Sequence, residues 1–469
     1  MQSRRNPETR RSLIEQNQYE ASLDDASFCT ATVVIISVLF VTGVLALLIS
    51  FIGLFVAETM GETTTEASLI TTTEFPTTDL DHITKRDTVE NTITMDYTTS
   101  DSSKSCEKRV VGFYTEIEST PITKTQLRKL THAVFAYIQM NSDGTLQFKT
   151  DRVRQRFLDM KNKAKSISSD SNEKDLKVMV SIGGPDNSDN YSNVLEDPAR
   201  KRTFIESVMS LLKEHDIDGV DLFWKWPKEY QQFEYSQLLK ELRERMSEYQ
   251  LISITAPPAG IDNWEYGFDL NGILKHIDFI NVLSMDYYGP WPNRWGTPAG
   301  PTSPLYGGIN EKENFNVDHT MRYYSCETRN PSKLNLVIPF YARLWRNVQG
   351  ALDVGAEVFR HVELKNEKAY GRDYMSRWTA ENEKWKLVNA TWDEDTKTSY
   401  IFDPNAKTYL TFETEKSIAA KMEYVKAKKL GGVWLWNVDQ DDKRNSVLNA
   451  VTSNKQCLER DDGSVEYDC

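Results

Sequence analysis

The feature that most restricts the fold of this chain is a regular alternation of short apolar runs with longer amphipathic segments. Short apolar runs bounded by turn residues are typical of buried strands, and helices show a longer period of 3.6 residues. The apolar runs are 110–114, 132–137, 176–182, 219–226, 251–256, 279–285, 335–340 and 432–438. Helical patterns lie between them, for example at 199–214, 230–248 and 416–429. Eight strand–helix units predict a TIM (β/α)8 barrel with functional residues at the carboxyl ends of its strands.

One segment between the predicted strands is too long to be a single connecting helix. Residues 342–410 separate the seventh strand from the eighth and are rich in Trp and Tyr. We expect a small inserted α+β subdomain there, which forms one wall of a cleft. The barrel domain as a whole is predicted to span residues 106–455, followed by a polar, Cys-containing tail at 456–469.

An uncharged and mostly apolar run occupies residues 26–57. A membrane-spanning helix needs about 20 apolar residues, whereas the apolar core of a cleavable signal peptide has about 7–15. Arg4, Arg5, Arg10 and Arg11 precede the run, and basic residues favour the cytoplasmic side. We therefore expect an uncleaved signal-anchor with a cytoplasmic tail at 1–25, and a single-pass type II protein whose C-terminal domain is extracellular or luminal.

Residues 58–105 are rich in Thr and Ser and show no apolar periodicity. Such a composition does not bury enough apolar area to offset the entropy lost on ordering. The segment is predicted to be a stalk, either O-glycosylated or an unmodified linker. Two N-glycosylation sequons, at Asn190 and Asn389, agree with an outside location.

Charge and cysteine usage exclude several function classes. The net charge of −13, without a basic run among aromatics, disfavours nucleic-acid binding. No Gly-rich phosphate loop and no Cys/His cluster with metal spacing occurs, so no cofactor and no metal site is predicted. Four cysteines follow the apolar run, and we expect a local disulfide between Cys457 and Cys469, with the pairing of Cys106 and Cys326 left open.

The fourth predicted strand carries the most specific motif, D-G-V-D-L-F-W-K-W-P at 218–227. It resembles the D-G-x-D-x-D-W-E-x-P signature of glycoside hydrolase family 18, the chitinases, with matches at Asp218, Gly219, Asp221, Trp224 and Pro227. Further stretches resemble the family's other strands in the same order. They are L-T-H-A-V-F-A-Y at 130–137, S-I-G-G at 181–184, N-V-L-S-M-D at 281–286, I-P-F-Y-A-R at 338–343 and G-G-V-W-L-W at 431–436.

The resemblance also identifies three substitutions. Lys225 stands at the position of the family's proton-donating glutamate, Phe223 at that of the aspartate that orients the substrate's acetamido group, and Met285 at that of a tyrosine that assists it. Family 18 uses substrate-assisted catalysis, in which this acetamido group is the nucleophile. All three protein parts of that mechanism are absent, and the resemblance therefore implies a degenerate, non-enzymatic family member.

A lysine does not replace the lost acid. General acids work best when their pKa lies near the operating pH, and their loss lowers rates by about 10²–10⁴-fold. At ~5 Å and an effective dielectric constant of ~20, repulsion between the Lys225 ammonium and a developing oxocarbenium would be about 3 kcal/mol. Strand alternation predicts that Asp221, Phe223 and Lys225 face the barrel interior, whereas Trp224 and Trp226 pack in the outer core.

Two structural roles for Lys225 remain open. The side chain either pairs with Asp286, the aspartate that follows the substituted tyrosine position, or reaches solvent in the cleft.

Sugar binding can persist without catalysis. The resemblance implies that Trp436 forms the floor under a sugar ring, that Phe113 and Tyr137 line the same pocket, and that Tyr341 and Arg343 hydrogen-bond the glycan together with Asp286. Pro185 replaces a tryptophan that commonly follows S-I-G-G, so one stacking platform is absent. Trp291 and Trp295 are either contacts at the rim of the cleft or parts of a folded loop.

Three functions are compatible with these residues. The first is a non-catalytic ectodomain that binds chitin or other N-acetylglucosamine-containing glycans at the cell surface. The second is a protein-interaction or growth-factor-like ectodomain without sugar binding, for which the sequence names no partner. The third is residual chitinase activity with Asp286 as the only strong candidate carboxylate.

The orientation can be tested by proteolysis. A protease added outside intact cells is expected to remove the domain that carries Asn190 and Asn389 while residues 4–25 stay protected, because the basic flank keeps the N-terminus inside. Immunoblotting of both ends measures this. Protection of the large domain would contradict the orientation.

Overall fold

The computed structural model describes residues 108–117, 120–168, 176–383, 385–453 and 464–469. The predicted signal-anchor, the stalk, Cys106 and Cys457 lie outside these ranges. Within them, no helix combines the length and apolar character needed to cross a bilayer.

Eight parallel strands close into a barrel. In chain order, β1 to β8 are Arg109–Tyr114, His132–Met140, Lys177–Gly183, Gly219–Phe223, Leu251–Ala256, Phe279–Val282, Leu334–Pro339 and Gly432–Trp436. Each pairs with the next, and β1 pairs with both β2 and β8, which closes the sheet. The sequence-based prediction of the barrel is confirmed.

Helices surround the strands. They are Lys124–Leu127, Asp151–Ser168, Asp189–Leu195, Pro198–His215, Gln232–Arg245, Leu270–Ile273, Val317–Thr328, Arg377–Asn382, Glu415–Ala427 and Ser446–Ser453. Helix Pro198–His215, which precedes β4, shows how the local sequence sets the bounds of a helix. The Asp197 carboxylate accepts hydrogen bonds from the first backbone amides, and a proline begins the helix. Asp216, with a φ of 47°, ends it. This helix delivers the chain to Gly219, where the functionally central strand begins.

The segment between β7 and β8 forms the expected subdomain. Its main sheet is antiparallel and begins with Tyr341–Arg346, which follows β7 almost directly. The other strands of this sheet are Gly371–Ser376, Thr391–Asp393, Thr398–Asp403 and Thr408–Phe412, and a separate pair is Val348–Ala351 with Arg360–Val362. Because the sheet starts at the mouth of the barrel, it can hold side chains such as Arg343 beside the barrel opening.

A buried ion pair holds the end of this subdomain against the barrel. The Lys421 ammonium is fully buried and donates to the Glu413 carboxylate and to Ser303 Oγ, 3.0 Å away. Ser417 Oγ donates to the same carboxylate at 2.6 Å. Burial lowers the pKa of Lys421, and Glu413 opposes that shift.

The C-terminal tail is fastened differently from the expected local loop. Cys469 forms a disulfide with Cys326 in helix Val317–Thr328, with the two Cα atoms 5.6 Å apart, so the predicted Cys457–Cys469 pairing is wrong. The tail reaches this helix because Tyr467 hydrogen-bonds Tyr424 and Lys429 pairs with Glu466 at 2.9 Å. Sequence proximity did not predict the partner of Cys469 because contacts of the tail with other elements bring this cysteine to Cys326.

The buried Lys421–Glu413 pair leads to a prediction about the stability of the protein. Lys421→Met should lower the free energy of unfolding by about 3–5 kcal/mol, because it leaves the Glu413 carboxylate buried without a cation. The double variant Lys421→Met/Glu413→Leu should lose much less, because apolar replacements of both partners are often neutral. Chemical denaturation followed by tryptophan fluorescence measures both. Equal losses in the single and double variants would contradict the assignment.

Candidate functional site

A single carboxylate occupies the interior of the barrel. Asp221 on β4 is fully buried and accepts hydrogen bonds from Ser181 Oγ at 2.8 Å, Ser253 Oγ at 2.7 Å, Thr255 Oγ1 at 3.2 Å and Asn281 Nδ2 at 3.0 Å. Burial raises the pKa of Asp221, and these four hydrogen bonds oppose the shift. The donors come from β3, β5 and β6, so this carboxylate joins the strands on both sides of β4.

Aromatic rings fill the space at the carboxyl end of β4. Phe223 is only 2% exposed, and its ring centroid lies 5.7 Å from that of Tyr137 and 5.8 Å from that of Trp226. Tyr137 also contacts Trp436, with centroids 6.0 Å apart, and Phe113 lies 5.8 Å from Trp436. These five residues, Phe113, Tyr137, Phe223, Trp226 and Trp436, are called the aromatic cluster below.

The cluster includes the sugar-binding floor that the resemblance implied. Trp436 is 7% exposed, and neither it nor Phe113 nor Tyr137 borders the open cleft described below. Gly184 lies so close to the Tyr137 ring that a Cβ there would approach it to 2.6 Å. The structure thus brings the expected residues together, but as a packed group.

A cavity of about 320 Å³ opens beside the aromatic cluster. Its walls come from the loops that follow β4, β5 and β6 and from the inserted subdomain. They are Lys225, Trp226, Pro258, Ile261, Asp262, Trp264, Leu283, Met285, Asp286, Tyr287, Trp291, Trp295, Asp373 and Tyr374. Four indole rings and two phenol rings in a cleft of this size make a surface suited to flat, partly apolar ligands such as sugar rings.

Trp226 belongs to this cavity, contrary to the strand-alternation prediction. β4 ends at Phe223, so strand alternation no longer applies at Trp226, three residues further on. The Trp226 ring lies 6.1 Å from that of Trp264, and its indole N–H is buried without a hydrogen-bond partner among the described residues. The prediction for Trp224 is confirmed, since it is 3% exposed and stacks on Tyr191 with centroids 5.3 Å apart.

A charged network forms the opposite wall. The Arg343 guanidinium is fully buried and lies 3.0 Å from the Asp286 carboxylate and 2.9 Å from that of Asp373. Tyr341 donates its hydroxyl proton to Asp286, and Trp291 Nε1 donates to Asp373 at 3.0 Å. Burial lowers the pKa of Arg343, but the two carboxylates and Tyr341 outweigh burial and raise it overall.

Lys225 does not take part in that network. Its side chain is exposed at the cavity, and its backbone N–H donates to Ser188 Oγ at 2.8 Å. Asp286 is engaged by Arg343 and Tyr341, and of the two roles left open for Lys225 the structure shows the side chain that reaches solvent, not the pair with Asp286. Met285 is 2% exposed and lies 3.7 Å from the Tyr341 hydroxyl.

The remaining predicted positions lie away from the cavity. Asp218 precedes β4, at the amino end of the barrel, where its carboxylate accepts the Val178 N–H at 2.7 Å. The Asn190 side-chain amide donates to the Met140 carbonyl at 2.8 Å, whereas Asn389 is exposed. Only Asn389 therefore presents its amide freely.

Sequence reasoning missed several residues that line the cavity, among them Trp264, Asp373 and Tyr374. Trp264 lies in a short turn, Trp264–Gly267, which follows β5. Asp373 and Tyr374 come from strand Gly371–Ser376 of the subdomain. The sequence feature that could indicate cavity residues is the presence of aromatic residues in loops at the carboxyl ends of strands. That feature did identify Trp291 and Trp295.

Comparison with known proteins agrees with this architecture. Residues 109–441, more than half of the chain, match the family described as Glycosyl hydrolases family 18. Chitinase B of Serratia marcescens is 23% identical over 439 residues, covering 77% of this chain and 87% of that protein. Probable chitinase 2 of Drosophila melanogaster is 27% identical over 283 residues, covering 57% of this chain and 56% of that protein.

Solved structures share the fold. The Group IV chitinase of Ostrinia furnacalis superposes with a TM-score of 0.63 at 22% identity, covering 74% of this chain and 100% of that one. YKL-39, solved in the presence of chitooligosaccharides, has a TM-score of 0.63 at 19% identity, covering 74% of this chain and 99% of that one. With the family match over the whole barrel, the chain belongs to glycosyl hydrolase family 18.

Proposed function

We propose that this protein is a catalytically inactive member of family 18 that binds chitin oligomers or other N-acetylglucosamine-containing glycans in the cavity at the barrel mouth. The observation that carries the proposal is the pairing of two features. An aromatic cluster that includes Phe223 fills the end of β4, and an aromatic-walled cavity, bordered by Lys225 and Met285, stays open next to it.

The loss of catalysis rests on the side chains that remain. Phe223 and Met285 are each 2% exposed and provide no hydrogen bond that could orient an acetamido group. Lys225 brings a positive charge to the position of the acid. Asp286, the candidate for residual hydrolysis, lies 3.0 Å from the Arg343 guanidinium and accepts a hydrogen bond from the Tyr341 hydroxyl, so it is already engaged by neighbouring side chains.

Glycan binding is supported by the cavity walls. Trp264, Trp291 and Trp295 are only partly buried, so their faces are accessible to a ligand. The unpaired indole N–H of Trp226 is a buried donor, and leaving such a donor without an acceptor costs about 1–3 kcal/mol. A sugar hydroxyl or amide carbonyl in the cavity would relieve that penalty.

The cellular location is inferred from the sequence alone. The uncharged run at 26–57, with arginines before it, supports a type II anchor that displays the barrel outside the cell or in the lumen. A binding protein held at a surface in this way can retain polymeric glycans without cleaving them.

The catalytic part of the proposal is tested by hydrolysis. The full-length protein, solubilised in detergent, should release no product from chitin oligomers above buffer, and Lys225→Glu alone should not restore turnover, because Phe223 and Met285 still leave the acetamido group unoriented. Product release is followed chromatographically beside an active chitinase as positive control. Robust turnover by the unaltered protein would refute the proposal.

The binding part is tested in the cavity. Trp264→Ala should weaken binding of the N-acetylglucosamine tetramer about five- to tenfold, because one aromatic contact contributes about 1 kcal/mol or more. Trp378→Ala is the matched control, since Trp378 is 41% exposed and does not line the cavity. Calorimetry measures affinity, and a thermal melt checks folding. If the unaltered protein binds no tetramer, the protein-interaction function replaces this one.

A further inference from the structure

Lys225 is a cation without a counterion on the wall of the cavity. Within the part of the chain that the structure describes, no carboxylate lies within 4.0 Å of its ammonium. Its backbone is fixed by the hydrogen bond from its N–H to Ser188 Oγ at 2.8 Å, and Ser188 is itself 3% exposed. The base of the side chain is therefore held in place while the ammonium faces the cavity.

The carboxylates on the same cavity are occupied by other cations. Asp286 and Asp373 lie 3.0 Å and 2.9 Å from the guanidinium of Arg343, and Asp262 lies 3.5 Å from that of Arg294. Each of these carboxylates is already paired with a neighbouring arginine, and none of them lies within 4.0 Å of the Lys225 ammonium. A counterion for Lys225 is supplied more easily by a ligand.

The aromatic side chains next to Lys225 indicate that the same ligand also contains a sugar ring. Trp226 follows Lys225 directly and contacts Trp264, and both rings line the cavity beside the ammonium. A sugar ring packed on these indoles would place its substituents close to Lys225. A neutral oligomer would leave the ammonium with water only, whereas a carboxylate or sulfate substituent would form a charge-assisted hydrogen bond.

We propose that the cavity prefers anionic glycans, namely hexosamine-containing oligosaccharides that carry a carboxylate or sulfate group, and that Lys225 determines this preference. The inference rests on the proposed glycan-binding function and specifies its ligand class. The net charge of the chain is −13, so long-range electrostatics oppose anionic ligands, and a preference for them has to come from a local cation.

The test compares three tetrasaccharides of similar size with the full-length protein. They are the neutral N-acetylglucosamine tetramer, a hyaluronan tetrasaccharide with carboxylates, and a 6-sulfated N-acetylglucosamine tetramer. At least one anionic ligand should bind about tenfold more tightly than the neutral one, which corresponds to about 1.4 kcal/mol. The carboxylated and sulfated arms identify which group is recognised.

Two variants decide the role of the residue. Lys225→Met keeps most of the length of the side chain but removes its charge, and it should abolish the preference, so that neutral and anionic tetrasaccharides bind with similar affinity. Lys228→Met makes the same charge change at an exposed position outside the cavity and should retain the preference.

The outcomes separate this inference from the proposed function. Equal affinities for neutral and anionic ligands would overturn the inference while glycan binding stands. A preference that survives in Lys225→Met, or that is lost equally in Lys228→Met, would also overturn it. Absence of binding to all three tetrasaccharides would overturn both.

Discussion

The hydrogen-bonded carboxylate of Asp221 is the interaction on which the centre of this barrel depends. A buried carboxylate is expensive unless its oxygens are well satisfied, and here four donors from three strands converge on it. The arrangement fixes the register of β4 relative to β3, β5 and β6. It therefore also fixes which side chains of β4 reach the mouth of the barrel, beginning with Phe223.

Above Asp221 the barrel changes from polar to apolar within two residues. Phe223 contacts Tyr137 and Trp226, and Met285 contacts the hydroxyl of Tyr341, so these two of the three substituted positions are packed rather than hydrated. Both substitutions suit an apolar environment. A phenylalanine next to a hydrated carboxylate would be poorly solvated, whereas next to the rings of Tyr137 and Trp226 it packs favourably. The proposed loss of catalysis therefore leaves the cavity beside the aromatic cluster open.

Features that depend on local sequence were predicted well, whereas features that depend on contacts between distant segments were not. The eight strands were located to within a few residues, because apolar runs between turn residues are a local signal. Alternation assigned Asp221 and Phe223 correctly but failed at Trp226, since β4 ends before that residue. The partner of Asp286 and the disulfide of Cys469 were missed because both depend on segments distant in sequence, Arg343 and Cys326. Trp264 was missed because a single aromatic residue in a turn carries no periodic signal.

The most direct test of the account is a crystal structure of the protein with the N-acetylglucosamine tetramer. The account predicts a sugar ring against Trp264 or Trp291 in the open cavity, with Phe223 still packed between Tyr137 and Trp226. A ring stacked on Trp436, with Phe223 displaced to admit it, would contradict the central claim that the aromatic cluster stays packed and that the ligand binds in the cavity beside it.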